Sequence, residues 1–144
     1  MDLQDCIKFA KENPMCAVST MDGDQPRVRT LQLDWADETG FYFAVIPLKE
    51  VSKQLHRNPK VEVCFYNRAA QIMETRQMRL TAEIEFIDDE EAVNRAYQLR
   101  AALEPIVGRP LKPLTEVFRI SHGEAHFWTI PDILKEPQLE RVRF

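Results

Sequence analysis

Across residues 77–86 the chain alternates without a break: Met78, Leu80, Ala82, Ile84 and Phe86 are set against Gln77, Arg79, Thr81, Glu83 and Glu85. Successive side chains of a β-strand point to opposite faces, so this period of two predicts a long strand with one apolar and one polar face. A lone strand buries nothing, and the rest of the chain must supply neighbours to pair with it and a layer to cover it. Short β-prone runs do so at residues 15–20, 27–35, 41–45, 61–66, 117–121 and 124–129. Asp22-Gly23-Asp24 reads as a hairpin turn between the first two, residues 36–40 turn the second into the third, and His122-Gly123 joins the last pair.

Helices are expected around this sheet. Leu3, Cys6, Ile7 and Ala10 have helical spacing that Asn13-Pro14 ends, and residues 50–58 form a short helix closed by Pro59. Asp88-Asp89-Glu90-Glu91 places acidic side chains at the start of a third helix, running to about Leu103, beyond which Pro105, Pro110 and Pro113 break the chain. The order predicts a mainly β, α+β fold: an antiparallel sheet curled into a barrel with peripheral helices, in one domain of residues 1–144. A barrel of this length has little interior space, so a large ligand would sit at a rim or between subunits.

Composition narrows the function. With 44% hydrophobic residues among 144, the chain can build one packed core, and its net charge of −4 argues against nucleic acid as a partner. No apolar run of about 18 residues suggests a membrane span, and the start, Met1-Asp2-Leu3-Gln4-Asp5, lacks an export pattern. Cys6, Cys16 and Cys64 are widely spaced, odd in number and without a CxxC pair, which fits reduced thiols in a cytoplasm better than disulfides or zinc. Nucleophile-elbow, GxGxxG and P-loop patterns are all missing, so covalent catalysis and nucleoside-triphosphate chemistry find no support.

Basic residues mark the candidate chemistry. Alternation over residues 27–35 puts Arg27, Arg29, Leu31, Leu33 and Trp35 on one face and Val28, Thr30, Gln32 and Asp34 on the other. A guanidinium among apolar side chains needs a partner, either a carboxylate or an anionic ligand, unless it sits at an exposed strand end. Lys49 and Lys53 lie four apart near the start of the short helix, with Ser52 beside them: a solvated pair, or a phosphate receptor that adds charge to backbone N–H groups. Gln77 and Arg79 share the polar face of the long strand, where an amide can hydrogen-bond a heterocycle's carbonyl and N–H edge or simply face water. His122 and His126 on a turn and strand would lie roughly 13 Å apart, too far to share one ion, so no metal site is expected.

These segments, taken together, resemble the pyridoxamine-phosphate-oxidase-like split barrels. The resemblance runs through Asp24-Gln25-Pro26-Arg27-Val28-Arg29 to Trp35, then Asp37-Glu38-Thr39-Gly40-Phe41-Tyr42-Phe43 and Gln54-Leu55-His56-Arg57-Asn58-Pro59-Lys60-Val61. It continues in Arg76-Gln77-Met78-Arg79-Leu80 and ends with Glu124-Ala125-His126-Phe127-Trp128. It implies an antiparallel split barrel that forms a homodimer, with FMN held at the subunit interface. Arg29 and Arg27 match strand arginines at the FMN phosphate, Lys49 a phosphate lysine, Gln77 a glutamine reaching the flavin from the neighbouring subunit, and Trp128 an aromatic near the ring.

Departures from the pattern shape the expected function. Asp34 stands where the oxidases carry another phosphate-binding lysine, Glu50 and Val51 occupy basic positions, and Val45-Ile46 replaces a Thr-Asn pair at the flavin. The segment after Trp128 lacks the Arg-Leu-His-Asp-Arg run that the vitamin-B6 oxidases use for their substrate. The expectation is therefore an FMN-dependent oxidoreductase acting on some other small-molecule substrate. The alternatives are a flavin-binding module without turnover, a barrel holding haem or a deazaflavin with His122 or His126 as axial ligand, or a structural dimer whose site has decayed.

Overall fold

The computed structural model describes residues 1–144. The amino terminus is helix α1 (Leu3–Glu12), whose first turn is closed by reciprocal bonds between Asp2 and Asp5 and whose apolar stripe buries Cys6, Ile7, Phe9 and Ala10. Strands β1 (Met15–Asp22) and β2 (Gln25–Gln32) form the hairpin expected at Gly23, which has the positive φ of a tight turn. Then come β3 (Trp35–Asp37), β4 (Gly40–Val45), α2 (Glu50–Arg57), β5 (Lys60–Tyr66), β6 (Arg76–Glu83) and β7 (Glu85–Ile87). The remainder is α3 (Glu90–Gln98), α4 (Glu104–Val107), β8 (Glu116–Ile120), β9 (Gly123–Thr129) and β10 (Val142–Arg143), with short 3₁₀ turns between.

Every strand pair is antiparallel. Six strands form one sheet in the order β10-β9-β6-β5-β1-β2 and four form another in the order β3-β4-β8-β7. The apolar inner faces of the two sheets share a core built on Phe41, Phe43, Phe65, Phe118, Met78 and Leu80, all fully buried. α1 closes one side of it, with Phe9 packed edge-on against Phe127 at 5.3 Å. This is an α+β split barrel, as the strand pattern predicts. No helix is long and apolar enough to cross a membrane.

The elements depart from the sequence reading at four places. The strand expected over residues 27–35 is two strands: β2 ends at Gln32, Leu33 and Asp34 donate their N–H groups to Pro14 and Tyr42, and Trp35 opens β3 in the other sheet. The alternation over residues 77–86 likewise spans two strands, because Ile84 leaves the ladder, bonds through its N–H to Pro59 and passes the chain between sheets. Side-chain alternation survives such a corner, so periodicity alone does not reveal it. The third helix stops at Gln98 rather than near Leu103, and Pro105 begins the short helix α4 instead of ending one, since a first-turn position needs no N–H donor. β10, at the carboxyl end, has no sequence signal and exists only through its pairing with β9.

Candidate functional site

α2 packs on β1, beside the edge strand β2, and the candidate basic residues are strung along this seam. At its far end Arg27 and Arg57 both pair with Asp22, at 3.3 and 3.4 Å. In the middle, Arg29 faces inward opposite Val18 and donates to the Thr20 hydroxyl and the Gln54 carbonyl oxygen at 2.6 Å each, and to Val18 O at 3.3 Å. All three partners are neutral, and burial pushes its guanidinium below the usual arginine value. At the near end stands Lys49, the amino-terminal cap of α2, exposed and without an ion-pair partner.

The other two helix candidates turn elsewhere. Lys53 pairs with Glu50 at 2.9 Å in solvent, an arrangement that contributes little. Ser52 is buried and donates to Glu116 Oε2 at 2.6 Å, while Glu116 Oε1 lies 2.6 Å from His56 Nε2. The carboxylate stands between the serine and the histidine, so the histidine is not placed to take the serine's proton. The trio docks α2 onto β8, helped by His56 stacking on Phe86 at 3.7 Å.

Lys49 borders a cavity of about 230 Å³. One wall is Leu31 of β2 with Val45 and Ile46 at the end of β4, and the other is Leu103, Val107 and Leu111 from the segment between α3 and β8. Arg100 from that segment also lines it and forms a two-pronged pair with Asp34, Nη1 on Oδ1 and Nη2 on Oδ2 at 3.0 Å. Asp34 Oδ2 also accepts the Ala44 N–H at 2.6 Å. Burial raises the Asp34 carboxyl's pKa, and the Arg100 and Ala44 bonds oppose that rise. Arg100 and the apolar roof have no sequence signal; Arg100 meets Asp34 from 66 positions away.

Gln77 and Trp128 stand side by side in the β6–β9 ladder, with Tyr66 next to Gln77 in β5. They lie on the outer face of the six-stranded sheet, because Met78 and Leu80 take the inner one. Arg29 is on the inner face, in the row that continues through Val18, Val63 and Leu80. The sheet therefore separates Gln77 and Trp128 from Arg29 within one protomer. Beside them on the outer face, Arg79 pairs with Glu136, and His126 is buried with Nδ1 against Arg141 and Nε2 3.6 Å from Glu136. His122 is exposed on the β8–β9 turn, its Nδ1 2.9 Å from Ser121 Oγ.

The sequence model of the pyridoxamine 5'-phosphate oxidase family matches residues 4–129. The chain belongs to this family. Solved structures agree on the fold: a NimC/NimA family protein from Clostridium acetobutylicum superposes with a TM-score of 0.75 at 24% identity, covering 98% of this chain and 92% of that one. An FAD-binding protein from Mesorhizobium loti gives 0.70 at 17% identity, covering 88% and 94%. The heme storage protein HutZ of Vibrio cholerae gives 0.65 at 20% identity, covering 90% and 95%. Comparison with curated protein sequences finds no significant relative.

The seam carries positive charge beside an apolar space. Two cations, Arg29 and Lys49, lack carboxylate partners there, and an apolar cavity adjoins the second. Ser52 and Lys53 are not brought to that cavity, and Arg27 is engaged by Asp22. Asp34, which stands at a basic position of the oxidases, is neutralised by Arg100, so the cavity wall does not present a free carboxylate.

Proposed function

We propose that this protein binds FMN and acts as a flavin-dependent oxidoreductase on a small molecule, as a cytoplasmic homodimer of one-domain subunits with cofactor sites at the interface. The observation that carries the reading is the pair of uncompensated cations on the β2–α2 seam. Arg29 is partly buried among neutral oxygens and Lys49 has no partner, so an anionic ligand along the seam would give each a counter-charge. The family and its FAD-binding structural neighbour support a flavin as the group that carries the phosphate.

Bound there, FMN would supply hydride and single-electron transfer through its ring. The chain's own residues have narrower tasks. Arg29 and Lys49 hold the phosphate, with Arg27 reaching it if Asp22 lets go. The apolar walls at Leu31 and Val45 keep water from the ring. Gln77, with both a donor and an acceptor, orients the ring edge and Trp128 flanks it, each across the subunit boundary because they lie behind the sheet from Arg29. The exposed outer face, with Val28 at 70%, Tyr66 at 42% and Met15 at 39%, is the surface for that contact.

The absorption spectrum tests this directly. The protein as purified, or after addition of FMN and removal of the excess, should show the two visible flavin bands. A protein that stays colourless with FMN overturns the reading, as does a haem or deazaflavin spectrum. Bleaching of the bound flavin by a nicotinamide donor, followed by reoxidation, marks an oxidoreductase; a bound flavin that no donor reduces marks a binding module.

A further inference from the structure

A second cavity, of about 580 Å³, opens at one end of the six-stranded sheet, between the carboxyl end of α1 and the loop that follows β5. Its volume lies within the roughly 300–1,000 Å³ of small-molecule sites, and its lining is mostly polar. Two of its walls carry opposite charges that do not meet. Glu12, the last residue of α1, and Arg68, on the loop, both line the cavity, and neither is in an ion pair. A carboxylate at the carboxyl end of a helix opposes the dipole, so Glu12 stands where the helix alone would prefer a cation. A bound cation would satisfy the side chain and the dipole together.

The neighbouring groups fit the same division. Asn13 donates its amide N–H to Phe9 O at 2.9 Å, which leaves its Oδ1 as an acceptor next to Glu12. Asn67 accepts the Arg76 N–H at 2.7 Å and donates to Glu74 O at 2.8 Å, so the loop bearing Arg68 is pinned at its base. Acceptors thus gather on the α1 wall and the charged donor on the loop wall, while Thr30 and Tyr66 add hydroxyls. Thr30 also lines the cavity beside Lys49, and Tyr66 stands opposite Gln77 in the β5–β6 ladder. Tyr66 belongs to the face proposed for the partner, so in the dimer this cavity opens at the subunit boundary, beside the flavin. We propose that it is the substrate site and takes a small zwitterion, with the amine on Glu12 and Asn13 and the acidic group on Arg68. The ligand's role as substrate rests on the flavin reading; the binding of a zwitterion does not.

Three fluorinated probes of similar shape read the two ends separately, by ligand-observed fluorine NMR on the intact protein. They are 4-fluorophenylalanine, its analogue without the amine, 3-(4-fluorophenyl)propanoate, and its analogue without the carboxylate, 2-(4-fluorophenyl)ethylamine. The wild type should bind the amino acid about threefold or more tighter than either analogue, the scale of one ion pair open to solvent. Glu12→Gln should erase the advantage over the propanoate and keep the advantage over the ethylamine. Arg68→Gln should do the reverse. Both side chains are exposed, so the two variants should melt as the wild type does.

Equal binding of the three probes by the wild type, or a variant that keeps the advantage its side chain should supply, overturns the proposal. With FMN bound, 4-fluorophenylalanine should shift the visible flavin bands, and unmoved bands overturn the assignment of this cavity to the substrate. A protein that takes no FMN yet discriminates the probes sinks the flavin reading and leaves the zwitterion site standing. One that takes FMN and ignores the charges sinks the site alone.

Discussion

Arg29 and Arg27 lie two residues apart on one strand and differ in what surrounds them. Arg27 shares Asp22 with Arg57 in solvent, while Arg29 turns inward to a hydroxyl, an amide oxygen and a backbone carbonyl. Only the second leaves a positive charge uncancelled in a partly buried place. Arg29→Ala should therefore weaken FMN binding by about tenfold or more, at roughly 1.5–3 kcal/mol per charge-assisted bond, whereas Arg27→Ala should change it little. Fluorescence titration of FMN reads both, and equal effects would move the phosphate away from Arg29. The Thr20 hydroxyl donates to Gln54 Oε1 at 2.6 Å without the help of Arg29, so the variant should keep that bond across the seam.

His126 offers a second prediction at this scale. Burial first, then the nearby Arg141 and Arg79, hold its imidazole below the ordinary 6.5. As pH falls through about 6.5, the unfolded chain takes up a proton that the folded one refuses. Stability from this group is therefore full above that value and is lost progressively down to the folded pKa. Melting temperatures between about pH 7.5 and 5 should fall more steeply for the wild type than for His126→Gln. Parallel slopes would show that the group titrates alike in both states.

Two of the three corners where the chain turns directly from one sheet into the other, the third lying between β8 and β9, do more for the site than any strand. At Leu33 and Asp34 the chain leaves the six-stranded sheet, and Asp34 thereby sits at the end of β4, where it can take the Ala44 N–H and meet Arg100. An unbroken strand through Trp35 would have put it on the outer face with Thr30 and Gln32. The second corner, at Ile84, lets β6 and β7 pair in different sheets and closes the barrel. Hairpin turns, the first helix and the alternation of β6 were legible in the sequence because each depends on nearest neighbours. Corners were not, since the period of two continues through them. β3 and β4 meet at Gly40, whose φ is +137° and whose added Cβ would fall 2.3 Å from Ile120 O. Gly40→Ala should therefore cost more than about 1 kcal/mol and lower the melting temperature by roughly 3–10 °C. An unshifted melt would mean that the β4–β8 pair relaxes freely.

At the scale of the molecule, the sheet itself is the argument for the proposed dimer. Gln77 and Trp128 lie on one face and Arg29 on the other, so a ligand touching all of them needs two copies. Ala17 lies in register with Thr30 and Cys64 near the middle of the outer face, and a charge there leaves the inner core untouched. Light scattering should give twice the 16.8 kDa chain mass for the wild type and the single mass for Ala17→Glu. FMN affinity should fall together with the dimer. A wild-type monomer that still binds FMN tightly would overturn the shared site.

What the sequence determined alone was local and periodic: the strand faces, the hairpins, the first helix, and which basic residues share a strand or a helix turn. These follow from geometry that repeats every two or 3.6 residues, so a short window is enough. The family likeness was legible too, since its residues recur in order along the chain. The tertiary structure decided which of those residues meet. It set Ser52 against Glu116, turned Lys53 to solvent, left Arg29 without a carboxylate, and brought Arg100 to Asp34 across 66 positions. Such pairings depend on how two sheets and their connecting segments close in space, and no local pattern encodes that closure.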